Sequence, residues 1–151
     1  MAKPIPDGYH SVTPYLCVKG AAQAIEFYKK AFSATERMRI AHPDGRVGHA
    51  ELQVGDSVIM LSDEFAEMGV RSPQSLGRSP VSIHLYVEDP DAIFNLAAAT
   101  GAKIKRAVAD QFYGDRLGGV EDPFGDTWWI STHKEDLSPL EIERRARSAS
   151  Q

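Results

Sequence analysis

The sequence predicts an α+β fold built from two consecutive βαβββ modules, and three observations predict it. Hydrophobic periods typical of strand and helix follow each other as strand, helix and three strands, and the same order returns after a long polar stretch. The second run overlays the first at an offset of 69 residues, pairing Leu16 with Leu85, Val18 with Val87, Ile25 with Phe94 and Phe27 with Leu96. At an offset of 70, Gly55-Asp56-Ser57 meets Gly125-Asp126-Thr127. A hydrophobic share of 42% and an aromatic share of 9% over 151 residues suit a folded chain and argue against disorder.

The elements follow in order. Thr13 to Val18 is rich in β-formers and reads as the first strand. From Gly20 to Ser33 the period changes: Ala21, Ala24, Ile25, Tyr28 and Phe32 form an apolar stripe at helical spacing, with Gln23, Glu26, Lys29 and Lys30 opposite. Arg37 to Ala41 is a short strand, and Asp44-Gly45 marks a hairpin turn. Val47 to Val54 alternates, and Val58 to Leu61 closes the first module. Asp63 to Pro80 is polar and long for a connection, which suggests a linker, lid or interface segment. Val81 to Val87 opens the second module. Asp89-Pro90 starts a helix as N-cap and first helical residue; Ile93, Leu96 and Ala97 stripe it, and it ends near Gly101. Ala102–Ala109, Arg116–Val120 and Thr127–Ser131 supply three more strands. Ser138-Pro139-Leu140-Glu141 is a capping box that opens a charged helix running to Ala149. The expected organisation is an arm over residues 1–9, modules over 10–63 and 81–133 joined by 64–80, and a helical tail over 134–151, all in one structural domain.

A formal charge of −4 offers no attraction to phosphate, so nucleic acid is not an expected partner. No apolar run approaches the roughly 20 residues that span a bilayer, so no membrane partner is expected. The opening MAKPIPDGYH lacks a signal-peptide stretch, which points to a cytoplasmic location. Cys17 is the lone cysteine, set in an apolar strand with no activating base beside it, and reads as an inert thiol. His10 and His42 fall in expected loops and His133 near the end of the last strand; all three read as solvated or capping groups.

Several motifs resemble the vicinal oxygen chelate superfamily, which includes glyoxalase I, bleomycin-resistance proteins and extradiol dioxygenases, and within it the PhnB-like branch. They are His49-Ala50-Glu51-Leu52, Met60-Leu61-Ser62-Asp63-Glu64, and the run from Tyr113-Gly114-Asp115-Arg116 to Asp122-Pro123-Phe124-Gly125. Trp128, Thr132-His133 and Glu135 to Pro139 continue the match, which covers about Thr13 to Glu141. The resemblance implies modules that curl into cups with the helix on the convex side, a concave ligand cavity, and a homodimer. Asp126 stands where relatives often carry His or Asn after Pro-Phe-Gly.

Metal-dependent members place His and Glu ligands at positions that resemble Thr13, Met60, Ser82 and Trp129 here. A thioether, an indole and two hydroxyls make no plausible set for a divalent ion, so no metal or other cofactor is expected. Strand alternation puts Leu16, Val18, Ala50, Leu52, Ile59, Leu61, Ile83, Leu85 and Val87 toward the helices. The opposite face carries Tyr15, His49, Glu51, Gln53, Met60, His84, Tyr86 and Trp129, the candidate ligand-binding residues. Of these, His49, Glu51 and His84 are the candidate acid–base groups. His49 and Glu51 sit about 7 Å apart by strand rise. Trp128 and Trp129 place one indole on each face, one for core and one able to stack on a planar ligand. Tyr113 to Arg116 reads as a turn with an Asp–Arg pair.

These features leave several functions open. One is a binding protein for a small aromatic or amphipathic molecule, with antibiotic sequestration as the role implied by bleomycin-resistance relatives and a mild bias toward cations from the acidic balance. A second is a metal-free isomerase or lyase using His49, Glu51 or His84. A glyoxalase- or dioxygenase-like metalloenzyme with relocated ligands is a third, and an interaction role without a ligand is a fourth. No glycine-rich phosphate loop, nucleophile elbow or adenosylmethionine-binding pattern is present.

Overall fold

The computed structural model describes residues 2–149. They divide into two compact units: one runs to Pro80 and takes back Pro123–Asp126, and the other comprises Val81–Asp122 and the chain from Thr127. Each holds one four-stranded mixed sheet, so the architecture is α+β with two βαβββ modules.

In the first unit β1 (Tyr15–Val18), α1 (Ala21–Phe32), β2 (Thr35–Ala41), β3 (Val47–Val54) and β4 (Ser57–Asp63) form a sheet of order β1-β4-β3-β2, with β1 parallel to β4. β1 begins two residues later than expected, because Pro14 has no N–H to give a ladder. Its carbonyl still accepts from the Met60 N–H at 2.9 Å, and Thr13 lies before the strand, half-buried.

Gly20 begins α1 and offers no capping side chain. Asp63, at the end of β4, supplies the cap from across the sheet. Its Oδ1 accepts from Gly20 N at 3.0 Å and Ala21 N at 2.9 Å, while Oδ2 accepts from Val47 N at 2.7 Å. The carboxylate thereby meets the positive end of the helix and two orphan donors at once. α1 buries Ala21, Ala24, Ile25, Phe27, Tyr28, Ala31 and Phe32. The sheet buries Leu16, Val18, Ala50, Leu52, Ile59 and Leu61, as alternation predicts. Tyr28 and Phe32 stack with ring centroids 6.0 Å apart, and Phe124 from the returning segment meets Phe27 edge-on at 6.3 Å. Each large side chain buried here contributes about 1.5–3 kcal/mol.

Residues 64–80 fold against this unit. Phe65 and Val70 pair around a 3-10 turn at Ala66–Met68, and α2 (Pro73–Leu76) is capped by the Ser72 hydroxyl. Arg46 pins the turn: its guanidinium lies 4.0 Å from the Phe65 ring centroid and donates to the Glu64 carbonyl and the Glu67 carboxylate.

In the second unit β5 (Ser82–Tyr86), α3 (Pro90–Thr100), β6 (Lys103–Asp110), β7 (Asp115–Glu121) and β8 (Thr127–His133) repeat the order, giving a sheet β5-β8-β7-β6. The Asp89 carboxylate caps α3 by accepting from Ala92 N at 3.1 Å. Leu96 departs from expectation: it is 44% exposed, and Phe94 takes the core position. Room for that ring comes from Gly118, where a Cβ would sit 2.9 Å from Phe94 Cδ2. Trp128 fills the core and donates from Nε1 to Asp122 at 2.9 Å. Arg116 pairs with Asp91 at 2.8 and 2.9 Å and with Asp110 at 3.1 Å, not with Asp115 as the turn motif suggested. The reason is register: successive strand residues face opposite sides, so Arg116 turns toward α3 and Asp115 away from it. α4 (Pro139–Ala149) is tied down by Arg145, which reaches Glu135 and the Phe112 carbonyl. Among the described residues no helix is long and apolar enough to cross a membrane.

Candidate functional site

The first unit's sheet turns one face away from α1, and five candidate residues share it. Met60 is the cross-strand neighbour of both Tyr15 and Glu51, with His49 and Gln53 two residues to either side of Glu51 on β3. β2 extends the face, placing Met38 opposite Glu51 and Ile40 opposite His49. The β2–β3 ladder steps from Glu36–Leu52 directly to Met38–Glu51, so Arg37 is the extra residue of a bulge. Its guanidinium reaches the Gln53 amide oxygen at 3.4 Å and lies 5.1 Å from the centroid of the Tyr9 ring.

These side chains form one hydrogen-bonded chain. The Tyr9 hydroxyl donates to Glu51 Oε1, and Glu51 Oε2 meets His49 Nε2 at 2.9 Å. His49 Nδ1 in turn meets the Tyr15 hydroxyl at 2.9 Å. The backbone spacing of His49 and Glu51 therefore does not keep their side chains apart. The bonds from Tyr9 and then His49 hold the Glu51 carboxyl below the usual carboxylate range. Burial, with the Glu51 carboxylate second, pushes the Tyr9 phenol up. Glu51 is thus a carboxylate acceptor that faces His49 Nε2, and His49 Nδ1 faces the Tyr15 hydroxyl. Tyr15, half exposed, is the end of the chain that meets solvent. Beside Glu51 and Met60 lies a cleft of about 470 Å³, walled by Thr13 and by Pro4, Ile5, Pro6 and Tyr9 of the N-terminal arm.

The second unit's corresponding face carries the other three candidates. His84 neighbours Trp129 across the β5–β8 ladder, and its ring lies 4.8 Å from that of Tyr86. The Trp129 indole lies against Gly119, where a Cβ would fall 2.3 Å from Cζ3. The Tyr86 hydroxyl donates to Asp115 at 3.2 Å, and the second Asp115 oxygen meets His133 Nδ1 at 2.8 Å. His133 Nε2 reaches Asp136 at 2.8 Å. Burial, then Asp115, raises the Tyr86 phenol, and the bonds to Asp115 and Asp136 raise the His133 imidazole. Tyr9 and Arg37 join the first face without having been singled out by sequence pattern, and Asp115, expected to pair with Arg116, joins the second through Tyr86 and His133. Cys17 is pushed up to about 11 by burial and by the Glu64, Asp126 and Asp63 carboxylates, and so stays a thiol at neutral pH.

The family model of the glyoxalase/bleomycin resistance protein/dioxygenase superfamily matches residues 8–130. The chain belongs to this superfamily. This superfamily member is 43% identical over 136 residues to the uncharacterized protein Mb0911c of Mycobacterium bovis, covering 88% of this chain and 90% of that one. The solved structure of the At5g48480 gene product of Arabidopsis thaliana matches with a TM-score of 0.66 at 28% identity, over 82% of this chain and 98% of that one. A PhnB protein from Bacillus cereus shares the fold, with a TM-score of 0.61 at 18% identity over 82% and 99% of the two chains.

The positions that the resemblance assigns to the superfamily's metal ligands hold Thr13 and Met60 in the first unit and Ser82 and Trp129 in the second. A hydroxyl beside a thioether, and a hydroxyl beside an indole, do not suit a divalent cation. Glu51 and His49 are engaged with Tyr9, Tyr15 and each other. Among the described residues no group of three or more His, Cys, Asp or Glu side chains could hold a metal ion. The donor set does not fit the metal of the metal-dependent relatives.

Proposed function

We propose that this superfamily member binds a small aromatic or amphipathic molecule on the open sheet face of its first unit, without the usual metal ligands. The cleft beside Glu51 carries this reading. Its volume of about 470 Å³ falls in the range of small-molecule sites, roughly 300–1,000 Å³. Apolar walls from Ile5, Pro6 and Met60 surround a few fixed polar groups. Where the first unit sets Glu51 opposite Met60, the second sets Gly119 opposite Trp129, so the polar anchor belongs to the first unit. Sequestration of an antibiotic is one use of such a site, and a homodimer is the assembly proposed from the family. Nuclear magnetic resonance titration with indole, a neutral aromatic donor, and with bleomycin tests the reading. Shifts clustered on β1, β3 and β4 are expected from indole. The absence of such shifts with both probes overturns the proposal. Light scattering on the eluting protein should give twice the chain mass of 16.6 kDa.

The order of the hydrogen-bonded chain favours a second reading, metal-free acid–base catalysis. A carboxylate that orients an imidazole, which in turn accepts from an exposed hydroxyl, is the arrangement that activates a hydroxyl. Here Tyr15 would exchange the proton, and His49 and Glu51 would position and polarise it. Deuterium uptake at the α-carbon of acetophenone in D₂O, faster with wild type than with Y15F or E51Q, is the expected signature; uptake at the buffer rate would remove this reading.

A further inference from the structure

We propose that the Tyr9 side chain occupies the ring subsite of this face, and that the ligand class which takes its place is a neutral, para-substituted phenol. This rests on the binding reading above and narrows it. The subsite has three parts. Glu51 supplies an acceptor for the hydroxyl, Arg37 covers one face of the ring with its guanidinium 5.1 Å from the centroid, and the cleft continues past the ring toward Thr13 and Met60.

The charges select the ligand. Glu51 is an ionised acceptor, so the group facing it must donate, and an anion is repelled. Arg37 lies over the same ring position and offsets part of the carboxylate's pull on a cation. At such short range this local charge outweighs the −4 carried by the chain as a whole. A neutral ring bearing an O–H satisfies both. In tyrosine the carbon that leads to the backbone is para to the hydroxyl. A ligand's para substituent therefore leaves the subsite where the arm now leaves it.

The Tyr9 side chain is lightly held. Every residue from Ala2 to Gly8 is exposed, and Tyr9 is partly covered. Beyond the Tyr9 contacts, Arg37 Nη2 reaches the Asp7 carbonyl only at 3.5 Å. The turn that aims Tyr9 at Glu51 is local: Tyr9 N donates to Pro6 O at 3.1 Å, and Gly8 takes a φ of 83°. The arm thus holds its own phenol in place through one charge-assisted hydrogen bond and one ring–guanidinium contact.

Calorimetric and resonance titrations with p-cresol, toluene and benzylammonium test this in the full chain. The Y9A variant is expected to bind p-cresol about tenfold more tightly than wild type, because nothing competes for the subsite. In Y9A, p-cresol should exceed toluene by about tenfold and should bind more tightly than benzylammonium. Adding E51Q to Y9A should erase most of the preference for p-cresol over toluene. Toluene bound as well as p-cresol overturns the phenol assignment and leaves the binding reading standing. No binding of any probe to folded wild type or Y9A overturns both. Should Y9A fail to fold, Y9F keeps the ring and loses the donor, so p-cresol affinity should rise several-fold over wild type. An unchanged affinity in folded Y9F overturns the proposal.

Discussion

Glu51 shows how one side chain gathers groups that the linear sequence keeps apart. Tyr9, 42 positions away, and His49, two positions away, reach its two oxygens, and the two bonds hold its carboxyl down. Replacing Glu51 with Gln keeps the size and removes the charge, and should cost about 1–2 kcal/mol in urea unfolding. In the wild-type protein the Glu51 side-chain carbon should titrate below the values usual for carboxylates. Titration at or above them would show that the chain of bonds does not form. On the second unit's face the decisive residue has no side chain. The Trp129 indole occupies the space a Gly119 side chain would need. Gly119→Ala should expel the indole, cost about 1–3 kcal/mol through overpacking and shift the tryptophan emission to longer wavelength. An unshifted spectrum would mean that the indole is not held there.

At the scale of elements, the cap on α1 comes from another strand. Gly20 cannot cap, and Asp63 covers the helix start while also accepting from Val47 N, so one carboxylate joins α1, β3 and β4. Asp63→Ala strands three backbone donors and should cost about 2–4 kcal/mol, with the fastest-exchanging amides gained in the first turn of α1. A loss under about 0.5 kcal/mol would show the cap to be replaceable by water. This contact was not legible in the sequence, since capping patterns look to the few residues before a helix and Asp63 lies 43 residues after Gly20. The sheet faces were legible, because a two-residue period assigns every side chain once register is known. Leu16, Val18, Ala50 and Leu52 are buried for that reason, and Tyr15, His49, Glu51 and Met60 share the other side. The pattern fails where the period breaks. The bulge at Arg37 inserts a residue into β2 and aims a guanidinium at the candidate site, and alternation alone puts nothing there. Tyr9 was hidden for a different reason: an arm without periodicity gives no clue to what it covers.

At the scale of the whole chain, the repeated βαβββ order gives two equivalent frames whose chemistry has diverged, and pH separates them. The first unit's frame holds a depressed carboxyl, and the second's holds a raised imidazole. Glu51 binds its proton less readily folded than unfolded, so its contribution is present above the usual carboxylate range and is lost as pH falls through the folded value. His133 holds its proton more readily folded, through Asp115 and Asp136. Its contribution is full below the ordinary imidazole value of 6.5 and is lost as pH rises through the raised folded value. The stability profile should therefore have an acid limb set partly in the first unit and a limb above neutrality set partly in the second. Because the His133 side chain is 53% exposed, solvent screens its pairs and the upper limb should be shallow and further flattened by salt. Urea midpoints measured from about pH 3 to about pH 9 should show both limbs. H133Q should flatten the upper limb and leave the acid one, and E51Q should make the acid limb shallower and leave the upper one. If H133Q changed the acid limb alone, the pairing of His133 with Asp115 would be ruled out, and with it the link between Tyr86 and the end of β8.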